Sequence, residues 1–537
     1  MSLLVLVLLA LVAAACGGKG NKSSSGPSGS TGKGAKKDFN QAQFEGQPRT
    51  GGNITFGVES NFASLDPAGN LAQPSDIVTA LAIYDPLVTY DAAGKIAPSL
   101  ATKWSNTDDL KTYRLTLRTD VKFGDGTPFN ADAVVQHFTR LKDPATNCTC
   151  AEVVAKIAKI TATSPSQVEF TLTEPNAFFM NILAATLGMI VSPAQVAKFG
   201  ANYARNPMGT GPFVLESYSS QVLKKNPNYW KKDSQGRRLP YLDQITMKSI
   251  SDAQVRLQSL KAGDIDIMQT ADTSNIVDAL QDKQNNFKVQ KVTGSSSTIT
   301  LFNLKKPPFN DLRVRQAFAY ATNRDRMNQV QYNSARQPSY LPFATDSPFY
   351  DKNAKVIKFD RARAKSLLSA AIKDGVNPSF KYTCIPTDEA RRVTAALRPD
   401  YEAAGFKVTN EFQDQGAYVN RIFSKGGDYQ AGCFRNAQCA SADCLYSSLR
   451  TNEPGNVVFY SNAKVDRALE AVRQTTNVNE QIKQLKIVQE QIAKDIPALP
   501  LLYDLFGNIY QPQLSGLPVP EPWSLGAIKV ATLYLKK

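Results

Sequence analysis

Along residues 112–118, Tyr113, Leu115 and Leu117 alternate with Thr112, Arg114, Thr116 and Arg118, the period-2 pattern of a half-buried strand. Gly124-Asp125-Gly126 follows and supplies the permissive backbone of a tight turn. The pattern then switches to a helical period. Asn130 is placed to cap a helix whose apolar face is Ala131, Val134, Val135, Phe138 and Leu141. Further on, Val314, Ala317, Phe318 and Ala321 make a second amphipathic helix. Ile482, Leu485, Val488 and Ile492 form another apolar stripe, stopped by Pro497. Between these, strands at 381–385, 407–411 and 429–434 alternate with a helix at 389–404, which predicts a mostly parallel sheet. No internal repeat is visible.

Residues 3–15 are wholly apolar, and Ala13-Ala14-Ala15-Cys16-Gly17 then puts small residues before a cysteine. A run this short falls below the ~20 residues that span a bilayer, so it reads as a cleaved signal. The small residues resemble a bacterial lipobox, in which Cys16 would be diacylated and become the mature N-terminus. Ala13 stands where such a motif usually has Leu, and no Lys or Arg precedes the run. An ordinary secretory signal cut near Ala15 is the alternative. Residues 17–49 are rich in Gly, Ser and Lys with almost no large apolar side chain, a composition that cannot bury a core. Such a tether has a mean span of about 30 Å, enough to let a domain move above a membrane.

The 537 residues include 42% hydrophobic and 20% charged positions, ordinary for a globular chain. The net charge of +15 raises nucleic acid as a partner. However, the basic residues are scattered, with no aromatic-interleaved cluster or reader motif, so no nucleic-acid partner is expected. Apart from Cys16, six cysteines remain: Cys148, Cys150, Cys384, Cys433, Cys439 and Cys444. An even number in an exported chain predicts disulfides. Cys439 and Cys444 are spaced to close a surface loop, and Cys384 and Cys433 lie in segments that read as strands of one sheet. Zinc is the alternative, but such sites usually recruit histidine or paired Cys-x-x-Cys knuckles. The one histidine, His137, lies on the capped helix and reads as structural. No metal or other cofactor is expected.

Enzyme signals are weak. The chain has no Gly-x-Ser-x-Gly elbow and no Walker loop. Gly209-Thr210-Gly211 begins like a dinucleotide fingerprint, but Pro212 interrupts it, and a tight turn into a strand is the better reading. Asp125, Asp132 and Asp143 sit at turns and helix ends, where carboxylates serve structure. The chain is read as a non-enzyme with no catalytic residues.

The block from Lys111 to Phe138 resembles the signature of the family 5 extracellular solute-binding proteins, the oligopeptide- and dipeptide-binding receptors of bacterial ABC importers. Further blocks match in order: Gly52 to Val58, Asn61 to Pro67, Ile83 to Val88, Asn206 to Phe213, Asn226 to Trp230, Ala253 to Ile267, Phe302-Asn303, and Phe309 to Ala321. The resemblance covers residues 51–537. It implies an α/β, two-lobed periplasmic-binding-protein fold of type II, in the large cluster with an extra inserted subdomain. The expected plan is a signal peptide at 1–15, a tether at 16–50 and lobe I at 51–298 with an insert at about 91–205. Lobe II follows at 299–499, and 500–537 return to lobe I.

By resemblance the chain captures a small solute, peptide first, and hands it to permease and ATPase subunits. It would work as a monomer, lipid-anchored on the outer face of the cell membrane or periplasmic. Receptors for a non-peptide solute, such as an oligosaccharide or an opine-like compound, remain an alternative, as does a secreted hydrolase on the same fold. In the family's peptide receptors, an aspartate after a lobe II strand ending in Gly-Trp binds the ligand's amino terminus. Here Phe434 replaces the tryptophan, and Asn436 or Ala437 stands where the aspartate would be. Arg435 beside them favours a carboxylate-bearing ligand. The expected ligand contacts are Phe434, Arg435, Asn436 and Gln438, with Phe62 and Ser64 meeting them from lobe I. Otherwise Arg435 pairs with Asp443 to hold the cysteine loop.

Overall fold

The computed structural model describes residues 45–536, apart from 63, 70, 72, 92, 93, 425 and 438–442. The side chains of residues 294, 295, 436 and 437 also fall outside the description. The expected signal peptide, Cys16 and most of the tether therefore lie outside the described residues.

The capped helix forms as its pattern requires. Asn130 accepts a hydrogen bond from the Ala133 N–H at 3.0 Å at the start of helix Ala131–Lys142, satisfying one of the unpaired donors of the first turn. Its buried face of Ala133, Val134, His137, Phe138 and Leu141 belongs to the core it shares with a four-stranded antiparallel sheet. The sheet order is Ala101–Asn106, Thr112–Leu117, Gln167–Leu172 and Ile157–Ser164. Phe138 meets Phe170 edge to face at 5.1 Å between ring centroids, a favoured aromatic geometry. The core of this insert is thus built on the alternating and helical patterns read above.

Among the described residues the main sheet has ten strands. Strand Asn53–Val58 lies between parallel neighbours Gln244–Ser249 and Ile267–Thr270. At the other end, Ser379–Cys384 lies between parallel neighbours Lys407–Phe412 and Ala431–Ala437. Two long strands join the halves. Lys288–Phe302, with 15 residues, and Ala498–Tyr510, with 13, pair antiparallel along most of their length. Their far ends pair with Ala431–Ala437 and with Ile267–Thr270 respectively. The expected lobe limits, 298 and 499, fall within these two strands.

The sheet is therefore mixed rather than mostly parallel. The alternating segment does form a parallel triplet, but a chain that leaves one half and later returns must run its two crossing strands in opposite directions. Those strands, with the hairpin partners Phe213–Ser217 and Val222–Lys225, supply the antiparallel pairings. Aromatic packing anchors the second half. Phe318, on helix Leu312–Ala321, stacks on Tyr401 at 4.0 Å and meets Phe302, Phe380 and Phe406 edge-on.

Candidate functional site

At the register shift between Thr293 and Ser297, charged groups from both halves of the sheet converge. Glu59 follows strand Asn53–Val58 directly, and its Oε1 accepts hydrogen bonds from the Ala271 N–H at 2.9 Å and from Arg256 at 3.2 Å. The Ala271 carbonyl accepts from Arg336 of the second half, at 3.4 Å, and Arg336 Nε donates to Thr273 Oγ1 at 2.9 Å. The backbone of one residue, Ala271, thus anchors an acid from one half and a base from the other.

The Arg336 side chain is 1% accessible and is paired with Glu389 at 2.9 Å and Asp504 at 3.3 Å. Its guanidinium lies 3.9 Å from the Tyr332 ring centroid, and Tyr332 donates to Glu389 at 2.7 Å. Arg435 completes the ring of charges, with Nη2 on Glu389 at 3.2 Å and Nε on Asp504 at 3.1 Å. Asp504, also 1% accessible, further accepts from Ser296 and Thr298. Buried ions are tolerated only when paired and hydrogen-bonded, and here each buried charge has at least two partners. Burial pushes the Glu389 carboxyl up, but Arg336 and Arg435 outweigh it and bring it down to about 2. Asp504 first, then Glu389 and Glu59, hold Arg435 firmly charged against its burial. Arg435 is the more open member of the network, with 38% of its side chain accessible.

A cavity of about 320 Å³ lies where the insert meets the second half. Leu172, Phe179 and Ile182 of the insert, Asp443 and Cys444 of helix Asp443–Leu449, and Trp523 are among its walls. An ion chain runs beside it. Lys156 joins Glu174 and Glu453, both at 3.1 Å. Arg473 joins Glu174 at 2.7 Å and also Asp443. The Ala177 N–H donates to the Arg473 carbonyl at 2.8 Å, so backbone as well as charge ties the two halves here.

The structure distributes the expected site residues unevenly. Arg435 is at the cleft, but its partners are Glu389 and Asp504; Asp443 is held by Arg473 instead, because it begins the next helix against a different wall. Phe62 is 4% accessible and packs in the core edge-on to Tyr218, not on a facing wall. Ser64 accepts from the Asp66 N–H within its own turn. Phe434 is partly buried against a core cluster, with its ring 6.2 Å from Phe423. Asn436 pairs through its backbone with Ser297. Its side chain, Gln438 and Cys439 lie outside the described residues. Cys148 is bonded to Cys150 and Cys384 to Cys433, the latter joining neighbouring parallel strands. Cys444 is also disulfide-bonded.

Glu59, Arg336, Glu389 and Asp504 were not among the residues singled out from the sequence. Asp504 did leave a trace: it is the one charge in the apolar run from Leu499 to Phe506. The others sit in separate segments, brought together only by the crossing strands.

Residues 95–438 match the model of the bacterial extracellular solute-binding proteins, family 5 (middle region). The glutathione-binding protein GsiB of Escherichia coli O6:K15:H31 is 28% identical over 480 residues, covering 86% of this chain and 91% of that protein. Among solved structures, AgaA of A. tumefaciens R10 in complex with agropinic acid has a TM-score of 0.79 at 23% identity, covering 90% of this chain and 99% of that one. DppA of Helicobacter pylori in complex with the peptide STSA has a TM-score of 0.77 at 24% identity, covering 91% and 99%. The mixed sheet, the crossing strands and the insert are therefore the type II periplasmic-binding-protein fold. Among the described residues, no helix is long and apolar enough to cross a membrane. With a charge network joining the two halves and a family match over most of its length, the chain belongs to the family 5 bacterial extracellular solute-binding proteins, the extracytoplasmic substrate-binding components of ABC transporters.

Proposed function

We propose that this receptor captures a small peptide for import, working as a monomer tethered to the outer face of the cell membrane through a diacylated Cys16. The observation that carries the peptide reading is the cavity of about 320 Å³ walled by both halves. That is the lower end of the ~300–1,000 Å³ of ligand pockets, a size for a short peptide rather than a long one. Relatives named for glutathione, itself a tripeptide, support the same scale. Ligand held by both halves favours their closure through its higher affinity for the closed form, and that gives the permease a loaded state to read. Asp443, Cys444 and Arg473 border that cavity from the second half, a Cys439–Cys444 bridge shapes the segment that leads into it, and Arg435 with Asn436 and Gln438 extends the site toward the crossing strands.

A thermal-shift screen with dipeptides, tripeptides including glutathione, oligosaccharides and opines tests this reading. Ligand at 100 times its Kd adds about 2.7 kcal/mol to the native state, a readable rise in Tm. Stabilisation by short peptides supports the proposal. Stabilisation by sugars or opines alone overturns the peptide assignment, and turnover of a compound without stabilisation by it overturns the receptor reading. Intact-mass analysis of the membrane fraction tests the anchor: the mature chain should begin at Cys16 and carry lipid.

A further inference from the structure

Basic side chains scattered along the sequence meet at one end of the main sheet. The described chain enters at Glu45 and runs along the connection between strands Val222–Lys225 and Gln244–Ser249. Gln47 accepts from Arg237 Nη1 at 3.1 Å, and the Gly51 N–H donates to the Tyr241 carbonyl at 2.8 Å. Arg49 lies between these two contacts. In the connection itself, Lys232 and Arg238 form a backbone bridge across a tight turn. Lys224 donates to Gln244 at 2.6 Å, and Gln244 pairs in register with Asn53 at the start of the first strand.

Arg49, Lys224, Lys232 and Arg238 are exposed, and none has a carboxylate within ion-pair distance among the described residues. The acids of the two segments are mostly neutralised. Glu45 pairs with Lys536 at 2.7 Å and Asp233 with Arg237 at 2.6 Å, which leaves Asp243 as the one acid there without a basic partner among the described residues. This end of the sheet is therefore positive. It is also electrically separate from the charge network that joins the halves. Strand Asn53–Val58 begins here and leads to Glu59, about 20 Å away at ~3.3 Å per residue. That exceeds twice the Debye length of ~8 Å at physiological salt.

We propose that this basic end is a docking surface for an anionic bilayer. Lipid phosphates contact Arg49, Lys224, Lys232 and Arg238, and the charge network at Glu59 faces away from the membrane. The inference rests on the lipid anchor at Cys16 and adds an orientation to it. The residues read as the tether join the described chain at this same end, so an anchor with a mean span of about 30 Å keeps this face near the bilayer. Those residues are basic too, with Lys19, Lys22, Lys33, Lys36 and Lys37 against Asp38. An anionic leaflet favours each nearby Lys or Arg by about fivefold in binding, and the tether makes the encounter intramolecular.

Energy transfer in vesicles tests the orientation. The mature lipidated protein, labelled at Ser234→Cys in the tight turn, is reconstituted into vesicles carrying a headgroup acceptor. Transfer should be at least twofold higher in an equal mixture of phosphatidylglycerol and phosphatidylcholine than in phosphatidylcholine alone, and high salt should remove the difference. A label at Val255→Cys, 54% accessible in the first turn of helix Ala253–Ala262 at the other end of the sheet, should show less transfer. Replacing Arg49, Lys224, Lys232 and Arg238 together by Gln should abolish the phosphatidylglycerol effect while leaving Tm unchanged. Equal transfer in both vesicles overturns the docking surface, as does a lipid effect that survives the fourfold variant, which would assign it to the tether lysines. A mature chain without lipid overturns the anchor reading instead. Flotation of that chain with the same vesicles then decides the surface: capture by phosphatidylglycerol that the fourfold variant loses supports it, and no capture overturns it.

Discussion

His137 shows how much a single buried side chain states about the chain. It is 1% accessible, and its Nε2 lies 3.3 Å from the Leu187 carbonyl. Burial first, then Arg140, lowers its pKa to about 4. The folded state thus holds it neutral, while the unfolded chain protonates it near 6.5. A depressed histidine contributes stability that is complete above the unfolded pKa and lost as pH falls. As His137 is the only histidine, stability should fall by about 3 kcal/mol between pH 7 and 4 on its account. Urea denaturation across that range should show the slope in wild type and a flatter one in His137→Gln. The glycines read as a tight turn make a second case. A Cβ on Gly211 would sit 2.4 Å from the Ile83 carbonyl carbon, and Gly211 N–H donates to Ile83 O at 2.8 Å. Gly211→Ala should cost about 1–3 kcal/mol, as overpacking does, measured by the same denaturation. Asp125 and Asp143 accept backbone N–H groups within their own turns, as expected of carboxylates at such positions.

Among the elements, the parallel triplet was legible because both faces of its strands leave a mark, while the crossing strands were not. Lys288–Phe302 carries Thr293, Ser296, Ser297, Thr298 and Thr300, a polar run that by composition resembles a loop. It forms a strand because neighbours on both sides satisfy its backbone, a tertiary override of local propensity. The disulfide Cys384–Cys433 cross-links adjacent strands 49 residues apart in sequence. A loop of that length limits the unfolded chain, so Cys384→Ser with Cys433→Ser should lower stability by about 2–4 kcal/mol. Melting of the double variant against wild type measures the loss, and reductant should shrink the difference by opening this bridge in the wild type.

On the scale of the whole molecule, the two halves are pinned at two places, the charge network at the crossing strands and the ion chain beside the cavity. The second is the easier to loosen. Lys156 is partly exposed and reaches from the insert to Glu453 of the second half at 3.1 Å. Such a pair contributes up to about 1 kcal/mol, or about fivefold in an equilibrium. Lys156→Gln should increase the ligand-free radius of gyration by small-angle scattering and weaken ligand binding about fivefold. High salt should shrink the difference between the two proteins, because it screens exposed charges. An unchanged radius and affinity would show that this edge does not control opening.

What the sequence by itself determined was local and periodic: the strand, turn and capped helix from 112 to 141, the alternating segment at 381–434 and the family to which these blocks belong. Each depends on side chains within a few residues of one another, where period and capping act. The site was decided elsewhere. Arg435 could be singled out from the sequence, but its partners come from residues 389 and 504. Phe62 was expected at the ligand, yet packing buried it, while Glu59, three positions earlier, stayed 30% accessible. Charge balance is a sum over groups distant in the chain. Only the fold, by carrying two strands across both halves, decides which charges enter the sum.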